Sequence, residues 1–341
     1  MLKLVWQSTK SFFFLFVLAF LLLNCSNKKA KINEDVLCYI DTVVCFSDTF
    51  GIHCQCDYPL TKKGFILLSD STRIWIEIEG KGKPLLLIQG GPLFDHQYFH
   101  PHFSELVNKN TLIYVDLRGR YMSDESTREK YSILQDIYDL EDIRKKLGIE
   151  QWDVLGHSFG GFIALLYALN FPQSVHSTIV VSTPLGISVN QYDSMALVLH
   201  TTFFDNVTTR EDNIEAQIKA NFHSRPIEKD IKYLRKSLEA YNNYEKFTDL
   251  ITNYMENTES IWSTYLGNNA LELSDSFLLT MPLYVITSKQ DKIGFWRETE
   301  KFMEKQRSTK YSKVYLMENS SHFPFIEEKE KFFLILKDIL H

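Results

Sequence analysis

The chain has 341 residues, 45% apolar and 23% charged, the proportions of a globular protein able to bury a large core. Its formal charge of -6 arises from 37 basic and 43 acidic residues mixed along the chain. There is no basic stripe, repeat or low-complexity tract, so nucleic acid is not an expected partner.

In chain order, the first feature is a leader. Lys3 and Lys10 precede an unbroken apolar run from Phe12 to Leu23. As a helix it would reach roughly 18 Å, short of the roughly 30 Å hydrocarbon core of a bilayer. It therefore reads as a signal peptide. The run ends in Leu22-Leu23-Asn24-Cys25-Ser26, which resembles a bacterial lipoprotein signal. That resemblance implies residues 1–25 as the signal, a lipid on Cys25, and an exported protein held to a membrane of the bacterial cell envelope.

All five cysteines, Cys25, Cys38, Cys45, Cys54 and Cys56, precede the main body of the chain. Lipidation of Cys25 leaves four. Cys54 and Cys56 are too close to bridge each other without strain, so each is expected to reach back to Cys38 or Cys45 within a segment spanning 26–63. Their spacing does not match a zinc site.

From Gly64 strands and helices alternate. Phe65 to Leu68 and Arg73 to Glu79 read as a hairpin, the second strand placing Ile74, Ile76 and Ile78 on one face. Pro84 to Ile88, Thr111 to Val115, Trp152 to His157 and Ser177 to Val181 are apolar runs of the kind buried on both faces, with helices expected over Ser132 to Leu147 and Phe159 to Asn170. This order predicts an α/β fold with a mostly parallel sheet covered by helices.

Within it, Gly156-His157-Ser158-Phe159-Gly160 joins a strand to a helix. A turn this tight needs glycine two residues before and after the serine, and it leaves the hydroxyl standing above the sheet. The following helix directs its N–H groups and positive dipole end at that position. Ser158 is the candidate nucleophile.

Three motifs together resemble the α/β-hydrolase fold and, more narrowly, its prolyl iminopeptidase branch. Gln89-Gly90-Gly91-Pro92-Leu93 is similar to the branch's His-Gly-Gly-Pro-Gly loop, and Asp116-Leu117-Arg118-Gly119 through Ser123 is similar to its Asp-x-Arg-Gly-x-Gly-x-Ser turn. The third is Gly156 to Gly161. Gln89, Leu93 and Tyr121 depart from the pattern. The resemblance implies a serine peptidase acting on a short peptide or other small molecule with a free amino terminus. Two other readings stay open: a carboxylesterase or lipase acting on small acyl esters, and a silent fold used for binding.

Glycines after a buried strand let backbone N–H groups approach a substrate oxygen, so Gly91 and Phe159 are the expected oxyanion donors. Arg118 and Gly119 read as loop scaffolding. After Gly186 the alternation stops, and residues 186–276 form the expected helical cap, rich in tyrosine. Asp193, Asp205, Glu211, Asp212 and Glu215 are acids there that could meet a substrate ammonium.

The core, 64–185, resumes over 277–341. Pro282 to Thr287 is a strand followed by a polar turn carrying Asp291, the candidate triad acid; no carboxylate follows the strand at Val180. Lys313 to Leu316 is the last strand, and His322 lies on a small polar loop before a helix over Glu327 to Leu340. The order Ser158, Asp291, His322 is that of α/β-hydrolases. One rival constellation exists, His96, His100 and His102, but Pro101 interrupts it and no matching acid follows. The expectation is acyl transfer to water through an acyl-enzyme, with no metal and no cofactor.

Overall fold

The computed structural model describes residues 37–39, 45–48, 51–54, 62–91, 94–127, 130–186, 210–224, 226–238, 279–305 and 312–341. The leader, Cys25, Cys56 and most of the expected cap lie outside these residues. No helix among the described residues is long and apolar enough to cross a membrane.

A nine-stranded sheet forms the centre, in the order β1-β4-β5-β7-β6-β8-β9-β10-β11. Its strands are β1 (Leu37–Tyr39), β4 (Lys62–Leu67), β5 (Arg73–Gly80), β6 (Lys83–Ile88), β7 (Asn110–Val115), β8 (Trp152–His157), β9 (Val175–Val181), β10 (Leu283–Ser288) and β11 (Lys313–Met317). The pairs β1·β4, β4·β5 and β5·β7 are antiparallel, whereas β7·β6 and every pair beyond it are parallel. The parallel part is buried on both faces, which is why β7 and β8 are buried at every position.

The sheet begins earlier than the boundary drawn at Gly64. β4 starts at Lys62, and β1 from the cysteine-bearing segment pairs with it, Cys38 opposite Phe65. A separate hairpin, β2 (Cys45–Asp48) and β3 (Gly51–Cys54), sets Cys45 opposite Cys54 in its register.

Helix α1 (Ile133–Lys146) starts where the Ser132 hydroxyl caps the Gln135 N–H, and it ends in Arg144, Lys145 and Lys146, which complement the negative end of the helix dipole. Helix α2 (Phe159–Asn170) is apolar nearly all round and is correspondingly a core helix. The Tyr167 hydroxyl on α2 donates to Glu141 on α1 at 2.8 Å, joining the two. Of the cap stretch, α3 (Arg210–Asn221) and α4 (Glu228–Leu238) are described. They are followed by α5 (Trp296–Lys305), a single helical turn Pro324–Glu327, and α6 (Lys329–Leu340), so the expected final helix is broken at Glu328.

One departure from the sequence pattern matters for chemistry. Alternation along β5 buries Ile74, Ile76 and Ile78 as expected, but Glu77 and Glu79 on the opposite face are also buried, at 4% and 0% exposure. The segment 94–109, with its short helical turns His96–Phe99 and His102–Leu106, lies over that face. Carboxylates that sequence alternation would leave in water are thereby enclosed.

Candidate active site

The site lies beyond the carboxyl ends of β6, β8, β10 and β11, where parallel sheets place ligands. Ser158 follows β8 with φ 52 and ψ -119, a conformation unfavourable for any residue with a Cβ. The strain persists because the surroundings leave no alternative. A Cβ at Gly156 would sit 2.1 Å from the Gly160 carbonyl oxygen, and one at Gly160 would sit 2.4 Å from the carbonyl oxygens of both Ile88 and Gln89. The Ser158 N–H donates to Val181 O at 2.8 Å, and its carbonyl accepts the Gly161 N–H at 3.0 Å. The elbow is thus fixed almost entirely by backbone.

His322, after β11, and Asp291, after β10, meet this serine. His322 Nε2 is 2.9 Å from Ser158 Oγ, and His322 Nδ1 is 2.9 Å from Asp291 Oδ2. Since a carboxylate only accepts, Nδ1 carries the proton and Nε2 is left to accept the serine O–H. Asp291 Oδ1 accepts the Ile293 N–H at 2.9 Å, and Asp291 is 5% exposed. A Cβ at Gly294 would meet Asp291 Oδ2 at 2.4 Å, so that glycine makes room for the carboxylate. The three residues singled out in the sequence, separated by up to 164 positions, form one continuous hydrogen-bonded chain.

Sequence reasoning missed the groups that hold His322. Its carbonyl accepts from His157 Nε2 at 2.8 Å, while His157 Nδ1 accepts from the Tyr98 hydroxyl at 3.0 Å, and that hydroxyl in turn accepts the Gly90 N–H at 2.6 Å. This arrangement requires a neutral His157 protonated on Nε2. Burial, reinforced by the adjacent His322 ring, holds the His157 pKa well below the usual histidine value. From the end of α3, Asn221 O accepts the His322 N–H at 3.0 Å. Glu327 accepts the Ser321 N–H at 2.7 Å with one oxygen, and the His223 and Ser224 N–H groups at 2.8 and 3.0 Å with the other. Phe222 stacks on Phe323 at 5.2 Å. Histidine directly before the elbow serine was the one local signal of this network.

The expected oxyanion donors come from two segments, the start of the helix after the serine and the glycine loop after β6. Phe159 opens α2, and Gly91, with φ 54, follows Gly90. Gly90 itself abuts the nucleophile, since a Cβ there would lie 3.0 Å from Ser158 Cβ, and its N–H is engaged by Tyr98. Pro92 and Leu93 are outside the described residues.

The Asp-x-Arg-Gly turn is scaffolding, as expected. Arg118 makes a two-pronged contact with Asp139 of α1 at 2.7 and 2.8 Å, and Arg120 pairs with Asp136 at 3.1 Å, all four side chains buried. With its amide turned so that nitrogen faces Val115 O, Gln89 donates there at 2.8 Å and accepts the Leu117 N–H at 3.2 Å, joining the glycine loop to the end of β7. Of the cap acids, Glu215 pairs with Arg235 and Asp212 is exposed. Asp193 and Asp205 lie outside the described residues, as does the Glu211 side chain. His102 separates from His96 and His100: its Nε2 lies 3.1 Å from Asp230 O on α4.

The family model described as alpha/beta hydrolase fold matches residues 83–329. The chain belongs to the α/β-hydrolase family. It is similar to the proline iminopeptidase of Saccharolobus solfataricus, 24% identical over 77% of this chain and 86% of that one. It is also similar to the proline iminopeptidase of Heyndrickxia coagulans, 27% identical over 77% of this chain and 92% of that one. Among solved structures, an esterase from Exiguobacterium antarcticum shares the fold with a TM-score of 0.62 at 22% identity, over 81% of this chain and 98% of that one.

Proposed function

We propose that this protein is a prolyl-iminopeptidase-like aminopeptidase acting through an acyl-enzyme. The observation that carries the mechanism is the unbroken chain Ser158–His322–Asp291, with both links at 2.9 Å, mounted on a strained elbow. Ser158 Oγ attacks the substrate carbonyl carbon as its proton passes to His322 Nε2. The oxyanion that forms accepts N–H bonds from Gly91 and Phe159, which act where charge develops and not in the ground state. Collapse breaks the bond to the leaving amine, which takes the proton from His322. Water then gives a proton to His322 as it attacks the acyl carbon, and the bond to Ser158 Oγ breaks as His322 returns that proton to Oγ, releasing the acid and restoring Ser158. Asp291 accepts the Nδ1–H throughout and stabilises the imidazolium.

The peptide preference rests on likeness to the two proline iminopeptidases over most of their length. A second reading, a carboxylesterase, is favoured by the fold it shares with the Exiguobacterium esterase. One substrate panel separates them: a prolyl arylamide, its N-acetylated counterpart and a short-chain nitrophenyl ester. The aminopeptidase reading expects acetylation to abolish turnover of the arylamide. Equal rates on both arylamides, with the ester much faster, would replace it by the esterase reading.

We also propose export with a lipid on Cys25, supported by the Phe12–Leu23 run and the Leu-Leu-Asn-Cys junction. The mature protein should partition into the detergent phase, and Cys25→Ser should release it to the aqueous phase.

A further inference from the structure

A second cluster of chemistry-bearing side chains lies apart from the Ser158 chain. Glu77 of β5, His96 and His100 each present a ligand atom, and these three atoms lie within 4.8 Å of one another. All three residues are buried, at 4%, 3% and 8% exposure. The sequence reading sought an acid further along the chain; the fold supplies one from an earlier strand.

The distances distinguish two kinds of contact. His96 Nδ1 lies 2.9 Å from Asp116 Oδ1, an ordinary charge-assisted hydrogen bond, and the same oxygen accepts the His96 backbone N–H at 2.8 Å. Glu77 is different: its Oε2 is 3.4 Å from His96 Nε2 and its Oε1 is 3.5 Å from His100 Nε2. No hydrogen bond reaches Glu77 Oε1, although it is buried. Separations of this size are long for hydrogen bonds. Each nitrogen stands close to the spacing of about 3.3 Å that two donors keep on a tetrahedral ion, though the two nitrogens face different oxygens of the Glu77 carboxylate.

The orientation of His96 points the same way. Asp116 holds the Nδ1 proton and so turns Nε2 toward Glu77, where it would give up its own proton to bind an ion, the carboxylate–histidine arrangement that supports metal-bound imidazoles. Charge agrees as well. Glu77 and Asp116 are both buried carboxylates, and His96 lies between them. Enclosed negative charge is costly unless a cation meets it.

We propose that Glu77, His96 and His100 form a structural binding site for a divalent ion of the zinc class, with Asp116 as the outer support of His96. Two imidazole nitrogens and a carboxylate suit zinc or cobalt(II) and not magnesium or calcium, which take oxygen ligands. The widest separation in the trio must close by at most about 1.5 Å on binding. The ion would fasten the segment that follows the Gly90-Gly91 loop to β5 and the end of β7. Asp95, in the same segment, accepts the Ser237 hydroxyl of α4 at 2.7 Å, so the cap rests on this anchor.

The test uses the full mature chain, without a polyhistidine tag, freed of metal with a chelator and then titrated with zinc chloride or cobalt chloride. One equivalent should bind, and the cobalt(II) spectrum should show nitrogen and oxygen ligation with no thiolate charge-transfer band. The latter excludes the cysteines as the ligands. At a hundredfold excess of zinc over its Kd, Tm should rise by roughly 5 °C. Glu77→Gln and His100→Gln should each weaken binding at least about tenfold, whereas His176→Ala, an exposed histidine elsewhere, should leave it unchanged. Should either site variant fail to fold, the cobalt-loaded wild type still decides, because the His96 and His100 ring protons must show paramagnetic shifts. The proposal is overturned by absence of stoichiometric binding, by unchanged affinity in both site variants, or by unshifted ring protons. Any of those results would leave the cluster a plain histidine–carboxylate ion network.

Discussion

The two halves of the active site are held by different means. On the serine side, Ser158 is fixed by backbone bonds to Val181 and Gly161 and by glycines whose replacement would collide with backbone oxygens at 2.1 to 2.4 Å. On the histidine side, His322 hangs from a loop secured by two groups remote in sequence, His157 and Asn221, and by nearby Glu327, which ties the loop to His223 and Ser224. The nucleophile is aimed by its own pentapeptide, whereas the base is aimed by the helix following β11 and by the end of α3. A displacement of α3 would therefore move the proton acceptor while leaving the nucleophile in place.

The largest expected effects strike the reacting groups of both halves. Ser158→Ala and Asp291→Asn should each lower kcat by about 10⁴-fold or more, because removal of one triad member disables the unit. Thermal unfolding should barely change for Ser158→Ala, and fluorophosphonate labelling should vanish with the hydroxyl. A Ser158→Ala enzyme of near wild-type activity would place the nucleophile elsewhere.

The asymmetry itself is exposed by Glu327→Ala. Three backbone N–H groups from both sides of the loop lose their acceptor, so kcat should fall by about 10- to 100-fold through misplacement of His322. Fluorophosphonate should still label Ser158, only more slowly. Glu327→Gln keeps one acceptor oxygen and should recover part of the rate. Equal kinetics in Glu327→Ala and wild type would mean that the cap contact does not aim the base.

On the serine side the corresponding lesion acts on stability. Gly160→Val drives a side chain into the carbonyl oxygens of Ile88 and Gln89 and should cost about 4 kcal/mol, measured by chemical denaturation. Retention of wild-type stability would show that the elbow yields more readily than its contacts imply.

The smallest effect is on acid stability, through the Glu141 contact that holds α2 to α1. Burial raises the Glu141 pKa, but hydrogen bonds from Arg144, Tyr167 and Ser174 together outweigh it and bring the pKa down to about 2. A depressed carboxylate pKa contributes stability that is complete above the unfolded value of about 4.3 and is lost as pH falls toward the folded value. The stability gap between wild type and Glu141→Gln should therefore narrow between about pH 5 and pH 2. A constant gap across that window would mean that the contact is not ionic.

Sequence alone located the Gly156-His157-Ser158-Phe159-Gly160 elbow, the order of Ser158, Asp291 and His322, and the alternation of strands and helices. These are set by local sterics and periodicity: a turn that tight admits few residues, and strands buried on both faces must be apolar throughout. It could not assign partners to groups whose neighbours come from distant segments. Glu77 and Glu79 alternate with isoleucines and read as solvent-facing, yet the segment bearing His96 and His100 encloses them. The placement of β7 between β5 and β6, the pairing of β1 with β4 and the Tyr98–His157–His322 relay likewise exist only once the sheet has assembled. What a side chain would prefer is written locally, but whether it meets water, a carboxylate or another ring depends on which distant segment packs against it, and that is decided by the tertiary structure.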